Sequence, residues 1–182
     1  MKLPANCKIE LCASDDETRP VLSHPYLDMT DPQKPLLVAT DGRRIAILPV
    51  TVEEGECSGW VSTDALTAAR KSAGKKGVSM IHCNGACETG GVRYPRPGFD
   101  REFPNWRQVI PDYSKAKTVK LSLNVDLLMG LAKGMGVDSV ELTIAPDEDG
   151  GVTAALVARP LPEKGQTLPQ GTFGVIMPMR HS

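Results

Sequence analysis

Aromatic residues are scarce in this 182-residue chain, at 4% of positions, and its uncharged apolar runs are short, as in AILPV and LLMGLA. A membrane span needs about 20 consecutive apolar residues, so one is excluded. An excess of one charge is also missing, since 21 Lys and Arg stand against 22 Asp and Glu for a net charge of -1. Bulk electrostatics would not hold such a chain on nucleic acid, and any DNA contact has to come from a local patch or from topology. No basic, then apolar leader ending in small residues opens the sequence, which argues against secretion and for the cytoplasm. What is present, 41% hydrophobic and 24% charged residues, suits one folded domain with an appendage.

The five cysteines (Cys7, Cys12, Cys57, Cys83, Cys87) are odd in number and unevenly spread. A disulfide framework calls for an even set in a smaller secreted chain, so reduced thiols fit better. His82, Cys83 and Cys87 hint at a metal site. Their C-x3-C spacing departs from C-x2-C and no second pair follows, so small thiols on a strand are preferred to zinc. No metal or other cofactor is expected.

The first fifty residues read as strands: KIELCAS, VLSHPYLDMT after Pro20, and PLLVATDGRRIAILPV. In the last of these, Asp41-Gly42 between two apolar runs is a strong hairpin signal. Near Trp60 the pattern changes. Ser62 or Thr63 can cap a helix starting at Asp64, with Ala65, Leu66 and Ala69 on its apolar face and Gly74 as its stop. KGVSMIHC, ACETG and GVRYP follow as candidate strands.

That unit recurs. Asn124 caps a second helix in NVDLLMGLAKGMG, ended by Gly134 and Gly136, and strands SVELTIAP and GVTAALVARP and a final apolar run, TFGVIMPM, follow. An offset of 62 residues pairs Asp64 with Asp126, Leu66 with Leu128, Lys71 with Lys133, Gly74 with Gly136 and Val78 with Val140. A repeat of this kind fixes architecture. Many strands and two helices predict an α+β fold with antiparallel sheets, built from two strand-helix-strands repeats. The segments are 1–58, 59–111 and 112–182. Between the repeats, YPRPGFDREFPNWRQVIPDYSKAK reads as an extended connector. Its Phe103, Trp106, Val109 and Ile110 are expected to pack along a surface rather than lie free.

Three stretches, LVATDGRRIA, FPNWRQVIP and GVIMPMR, resemble in that order three signature stretches of the bacterial replicative sliding clamp, the DNA polymerase III beta subunit. NVDLLMGLAKG looks like the helix of that family's last half-domain. The resemblance runs from about Arg19 onward and implies a clamp-like fold with both helices on one side. Family members carry three such domains, whereas this chain has room for about one and an extension. It looks like a miniature clamp of the kind expected on a phage or mobile element.

In the family the three stretches line a hydrophobic pocket for short Gln- and Leu/Phe-containing peptides of polymerases and other clamp users. Position by position, the resemblance assigns it Thr40, Gly42, Arg43, Arg44 and Ile45 from the first stretch and Pro111 from the second. Val175, Met177, Pro178, Met179 and Arg180 come from the third. Gly42 would let a peptide approach the backbone, and Met177 and Met179 would give an adaptable apolar wall. Arg44 and Arg180 could donate to carbonyls or a terminal carboxylate. The plainer alternative is that the Met and Ile residues are core and the arginines solvated.

Clamps also line a central hole with basic helices that touch phosphates without reading sequence. The candidates are Arg70, Lys71, Lys75 and Lys76 at the end of the first helix, with Lys115, Lys117 and Lys120. Complementation of a helix C-terminus, plus a solvated loop, explains the same charges. Asp64 falls where the family tends to place a basic residue.

The resemblance therefore implies a non-enzymatic binding protein that holds polymerase or repair partners and encircles duplex DNA as a homo-oligomeric ring. The alternative is a monomeric adaptor or decoy that binds clamp-interacting proteins without DNA. An enzyme ranks lower. The acidic groups Asp15, Asp16, Glu17 and Asp147, Glu148, Asp149 sit in turn-like stretches, and His24, His82 and His181 have no triad-like spacing to a nucleophile. Phosphate-loop and dinucleotide glycine patterns are lacking.

Overall fold

Thr40 and Ile45 close the ATDGRR hairpin at the centre of the N-terminal half. The computed structural model describes residues 1–74, 77–114, 118–146, 152 and 154–179. They divide into two units, Met1–Trp106 and Arg107–Ser182.

In the first unit, strands β1 (Lys2–Pro4), β2 (Tyr26–Asp28), β3 (Leu36–Thr40), β4 (Ile45–Pro49) and β5 (Gly59–Trp60) precede helix α1 (Thr63–Ala73). Strands β6 (Val78–Met80), β7 (His82–Asn84), β8 (Ala86–Thr89) and β9 (Val92–Pro95) follow it. One sheet has the order β4-β3-β2-β5, a second β7-β8-β9, and β1 pairs with β6. All these pairings are antiparallel. Val61 and Ala65 join Leu27, Leu37 and Ala39 of the sheet in one core cluster, all at 0% exposure. Each buried leucine there contributes about 2 kcal/mol.

Helix α1 begins as its sequence demands. The Ser62 hydroxyl accepts the Ala65 N–H at 3.3 Å, Asp64 sits in the first turn, and Gly74 ends the helix at φ +67°. KIELCAS does not form the expected strand. It winds into a 3-10 helix at Ile9–Cys12 that lies against β3 and β4. Ile9 enters the core while Leu11 is 63% exposed, so the apolar alternation does not mark a half-buried strand. VLSHPYLDMT likewise starts with a 3-10 turn at Pro20–Leu22 before β2.

The second unit carries helix α2 (Val125–Gly134) and strands β10 (Val140–Thr143), β11 (Leu156–Pro160) and β12 (Gly174–Ile176). The Asn124 carboxamide oxygen accepts the Asp126 and Leu127 N–H groups, capping α2 as its sequence predicts. Gly134 is its last helical residue and Gly136 takes the positive φ of +75°. The sheet is antiparallel, in the order β10-β11-β12, with Leu156 opposite Ile176. Its core is small: Ala132, Val137, Leu156, Ala158 and Ile176 are buried. Gly174 is where sheet meets helix, since a Cβ there would lie 2.6 Å from Leu131 Cδ1.

Candidate functional site

The hairpin loop between β3 and β4 is held by its own side chains. Asp41 Oδ1 accepts the N–H groups of Arg43 (2.9 Å) and Arg44 (3.0 Å), which hold its carboxyl below the usual carboxylate range. Thr40 Oγ1 donates to the Arg44 carbonyl at 2.7 Å and accepts the Gly42 N–H at 3.0 Å. Gly42 takes φ +85°, a conformation that costs other residues strain. The Arg44 guanidinium is not merely solvated: it donates to Asp41 Oδ2 and to the Leu11 carbonyl, both at 2.9 Å. Arg43 is exposed and lines a polar cleft of about 210 Å³ with Ser14, Asp15, Asp16, Arg19 and Asp41. Ile45 is half-buried at the start of β4.

The C-terminal stretch leaves the sheet after Ile176. Val175, Met177 and Met179 are 51%, 61% and 54% exposed, so these side chains lie outside the core. The Met179 N–H donates to the Ser122 carbonyl at 2.8 Å, tying the stretch to the residues before α2. Pro178 is half-buried and Pro111 exposed. Arg180 lies outside the described residues. The same unit has a cleft of about 700 Å³, lined by Val157, Arg159, Pro160, Leu168, Pro169 and Phe173 among others, which none of the expected residues lines.

Of the candidate basic residues, Arg70 forms an ion pair with Glu10 from the N-terminal 3-10 helix, and its side chain is only 21% exposed. Lys71 and Lys120 are exposed. Lys75, Lys76, Lys115 and Lys117 lie outside the described residues, as do Asp147, Glu148 and Asp149.

Several well-held groups escape sequence reasoning. Arg96 donates to the Trp60 carbonyl (2.8 Å), the Cys57 carbonyl (2.7 Å) and Cys57 Sγ (3.0 Å). Around it the connector's rings dock on the sheet, Phe103 stacked on Tyr26 and Phe99 edge-on to Trp60, each at 4.9 Å. Buried Trp106 donates its indole N–H to Asp28 Oδ2 at 2.9 Å. The connector therefore packs as expected through Phe103 and Trp106, whereas Val109 and Ile110 remain exposed. Glu56 is buried and accepts the Met1 ammonium and the N–H groups of Glu53 and Cys83. Phe99 and Phe103 in the connector were a usable signal for the ring cluster. The Glu56 site had none, since the fold alone brings Met1 and Cys83 to it.

Solved structures decide the fold. The DNA polymerase sliding clamp of Caulobacter crescentus matches with a TM-score of 0.63 at 23% identity, over 98% of this chain and 50% of that one. The fold is that of a bacterial DNA sliding clamp. The DNA polymerase III subunit beta of Borrelia burgdorferi, in complex with a natural product, matches at TM-score 0.61 and 18% identity over 97% of this chain and 47% of that one. The Bartonella birtlesii clamp, bound to griselimycin, matches at 0.59 and 18% over 100% and 66%. The chain thus spans about half to two-thirds of the length of these clamps. No family model and no curated protein matches the sequence. The clamp fold agrees with the α+β architecture of antiparallel sheets and two helices. Among the described residues no helix is long and apolar enough to cross a membrane.

Proposed function

We propose that this chain is a non-catalytic, clamp-like binding protein that docks clamp-binding peptides of polymerase or repair partners. The candidate residues that the resemblance assigns to it are Thr40, Gly42, Arg43, Arg44 and Ile45 in the first unit, and Pro111, Val175, Met177, Pro178, Met179 and Arg180 in the second. The observation that carries this reading is the exposure of Met177 and Met179, at 61% and 54%, directly after a buried Ile176. Two large, flexible apolar side chains outside the core suit a peptide that inserts Leu or Phe. Arg44 adds a guanidinium already oriented by Asp41 and Leu11, which lowers the ordering cost of recognition. In the fuller form of the proposal, copies close into a ring around duplex DNA, and confinement raises the effective concentration of the tethered partner.

A fluorescent peptide of the clamp-binding type tests the site, titrated against the intact chain and a Met177→Ala, Met179→Ala double variant. Saturable binding on the order of micromolar is expected, weakened roughly tenfold by the variant, a loss of about 1.4 kcal/mol. Absence of binding by the intact chain refutes the site. Sedimentation tests the ring: a closed oligomer supports it, and a monomer at micromolar concentration leaves the adaptor without DNA. The engagement of Arg70 with Glu10 favours that second reading, because it removes one candidate phosphate contact.

A further inference from the structure

Cys83 on β7 stands directly opposite Cys87 on β8, across a hairpin that turns at Gly85. Both residues are fully buried in the core cluster of the first unit, and their sulfurs are 3.9 Å apart. Opposed sulfurs on one face of a two-stranded ladder need only close to about 2.05 Å to bond. Cys87 Sγ also accepts the N–H of Ser62, the capping residue of α1, at 3.4 Å. Cys57 lies beside the pair, its Sγ 3.9 Å from the Cys83 carbonyl and 3.0 Å from an Arg96 nitrogen.

We propose that Cys83 and Cys87 form a reversible dithiol–disulfide couple that responds to hydrogen peroxide, with Cys87 as the attacking sulfur and Cys83 as the resolving one. The asymmetry follows from the surroundings. Cys83 donates its proton towards Cys87, which lowers the Cys87 pKa against the opposing effect of burial, and the Ser62 N–H adds to the lowering. The same shared proton, and then burial, raise the Cys83 pKa. In the first step the Cys87 thiolate attacks one peroxide oxygen, the O–O bond breaks, and hydroxide leaves to take up a proton as water. Cys87 is then a sulfenic acid. In the second step Cys83 sulfur attacks the Cys87 sulfur, the S–O bond breaks, and the hydroxyl departs as water with the Cys83 proton. Two thiols and one peroxide give one disulfide and two waters. Because both sulfurs are buried, the reaction requires a local opening of the β7–β8 hairpin, and peroxide is a smaller oxidant to admit than a bulky disulfide. The bridge also alters the Cys87 sulfur that accepts the Ser62 N–H, so oxidation is felt at the start of α1.

Trypsin provides a direct readout, because cleavage after Lys76 and Arg93 releases Gly77–Arg93 with both cysteines on one peptide. The folded full-length chain is treated with hydrogen peroxide, denatured in N-ethylmaleimide, digested and weighed. The expected peptide is unalkylated and two hydrogens lighter than the reduced form, and dithiothreitol before alkylation restores two maleimides. In a Cys83→Ser variant dimedone should label Cys87, and in Cys87→Ser it should leave Cys83 unlabelled. The proposal is overturned if the wild-type peptide still carries two maleimides once exposed Cys57 is fully oxidised. A bridge to Cys57, or failure of dithiothreitol to reverse the change, overturns it equally. The wild-type measurement decides the matter even where a variant fails to fold.

Discussion

Removing the Glu56 carboxylate should destabilise the first unit more than any surface change. Its side chain is wholly buried and gathers three donors, one local and two from distant parts of the chain: the Glu53 N–H at 2.7 Å, the Cys83 N–H at 2.9 Å and the Met1 ammonium. The Met1 ammonium also donates to the Ile81 carbonyl, so one cluster ties the beginning of β1 to the segment joining β6 and β7. Glu56→Ala leaves a buried ammonium without its counter-charge and strips an acceptor from the buried Cys83 amide and the partly buried Glu53 amide. Breaking one side of a buried pair costs about 3–5 kcal/mol. Glu56→Gln keeps one acceptor oxygen but turns a donor towards other donors, for about 2–3 kcal/mol. Urea unfolding followed by circular dichroism, on protein with a free Met1 amino group, measures both. A loss below about 1 kcal/mol for Glu56→Ala refutes the account. The pH dependence gives a second check. Burial raises the Glu56 pKa, but hydrogen bonds from the Met1 ammonium and the Glu53 and Cys83 amides outweigh it, so the folded value is lowered. A lowered folded pKa means the unfolded state binds the proton more readily. The stabilisation is then complete above the unfolded carboxyl pKa of about 4.3 and is lost as pH falls through the folded value. Wild type should lose this contribution under acid, and Glu56→Gln should show a flatter stability profile there.

Three further substitutions probe other links. Ser62→Ala removes the hydroxyl that caps α1 and should cost about 1 kcal/mol in the same urea assay; an unchanged midpoint refutes the cap. Gly42→Ala forces a side chain to φ +85°, with its Cβ 2.7 Å from a flexible Arg19 nitrogen that can move aside. The backbone strain should cost about 1–2 kcal/mol, and a neutral result would mean that the loop relaxes out of the positive-φ conformation. Arg70→Gln should lower stability by about 1–3 kcal/mol while changing DNA retention little, because Arg70 already engages Glu10. A large change in salt-sensitive DNA binding with unchanged stability would reverse that assignment.

What the sequence made legible was local. The β3–β4 hairpin, the Ser62 and Asn124 caps and the Gly74 and Gly136 stops each depend on a few neighbouring residues with strong intrinsic preferences, and all are present. Long-range choices were not legible. Alternation in KIELCAS suggested a strand, but burial of Ile9 beneath β3 and β4 selected a 3-10 helix, and no local rule encodes that contact. Two partners of Glu56 lie 27 and 55 residues away, so it becomes a buried acceptor only once the chain has folded. For the candidate site, family likeness supplied the residues. What pattern alone left open was whether the terminal methionines were core, and their exposure answers that.

The N-terminal 3-10 helix bears on the ring form of the proposed function. It lies against β3 and β4, and its Glu10 meets Arg70 on α1. That pair draws the cation at the end of α1 towards a carboxylate rather than towards solvent. Among the described residues, Lys71 and Lys120 are then the exposed members of the candidate basic set. With 21 Lys and Arg against 22 Asp and Glu, bulk attraction gives the chain little hold on duplex DNA at physiological salt. In the ring form of the proposed function, retention is expected to be geometric. A closed oligomer would hold DNA almost independently of salt, whereas an open one would lose it as ionic strength rises, and the charge arrangement makes that contrast sharper than it would be for a strongly basic ring.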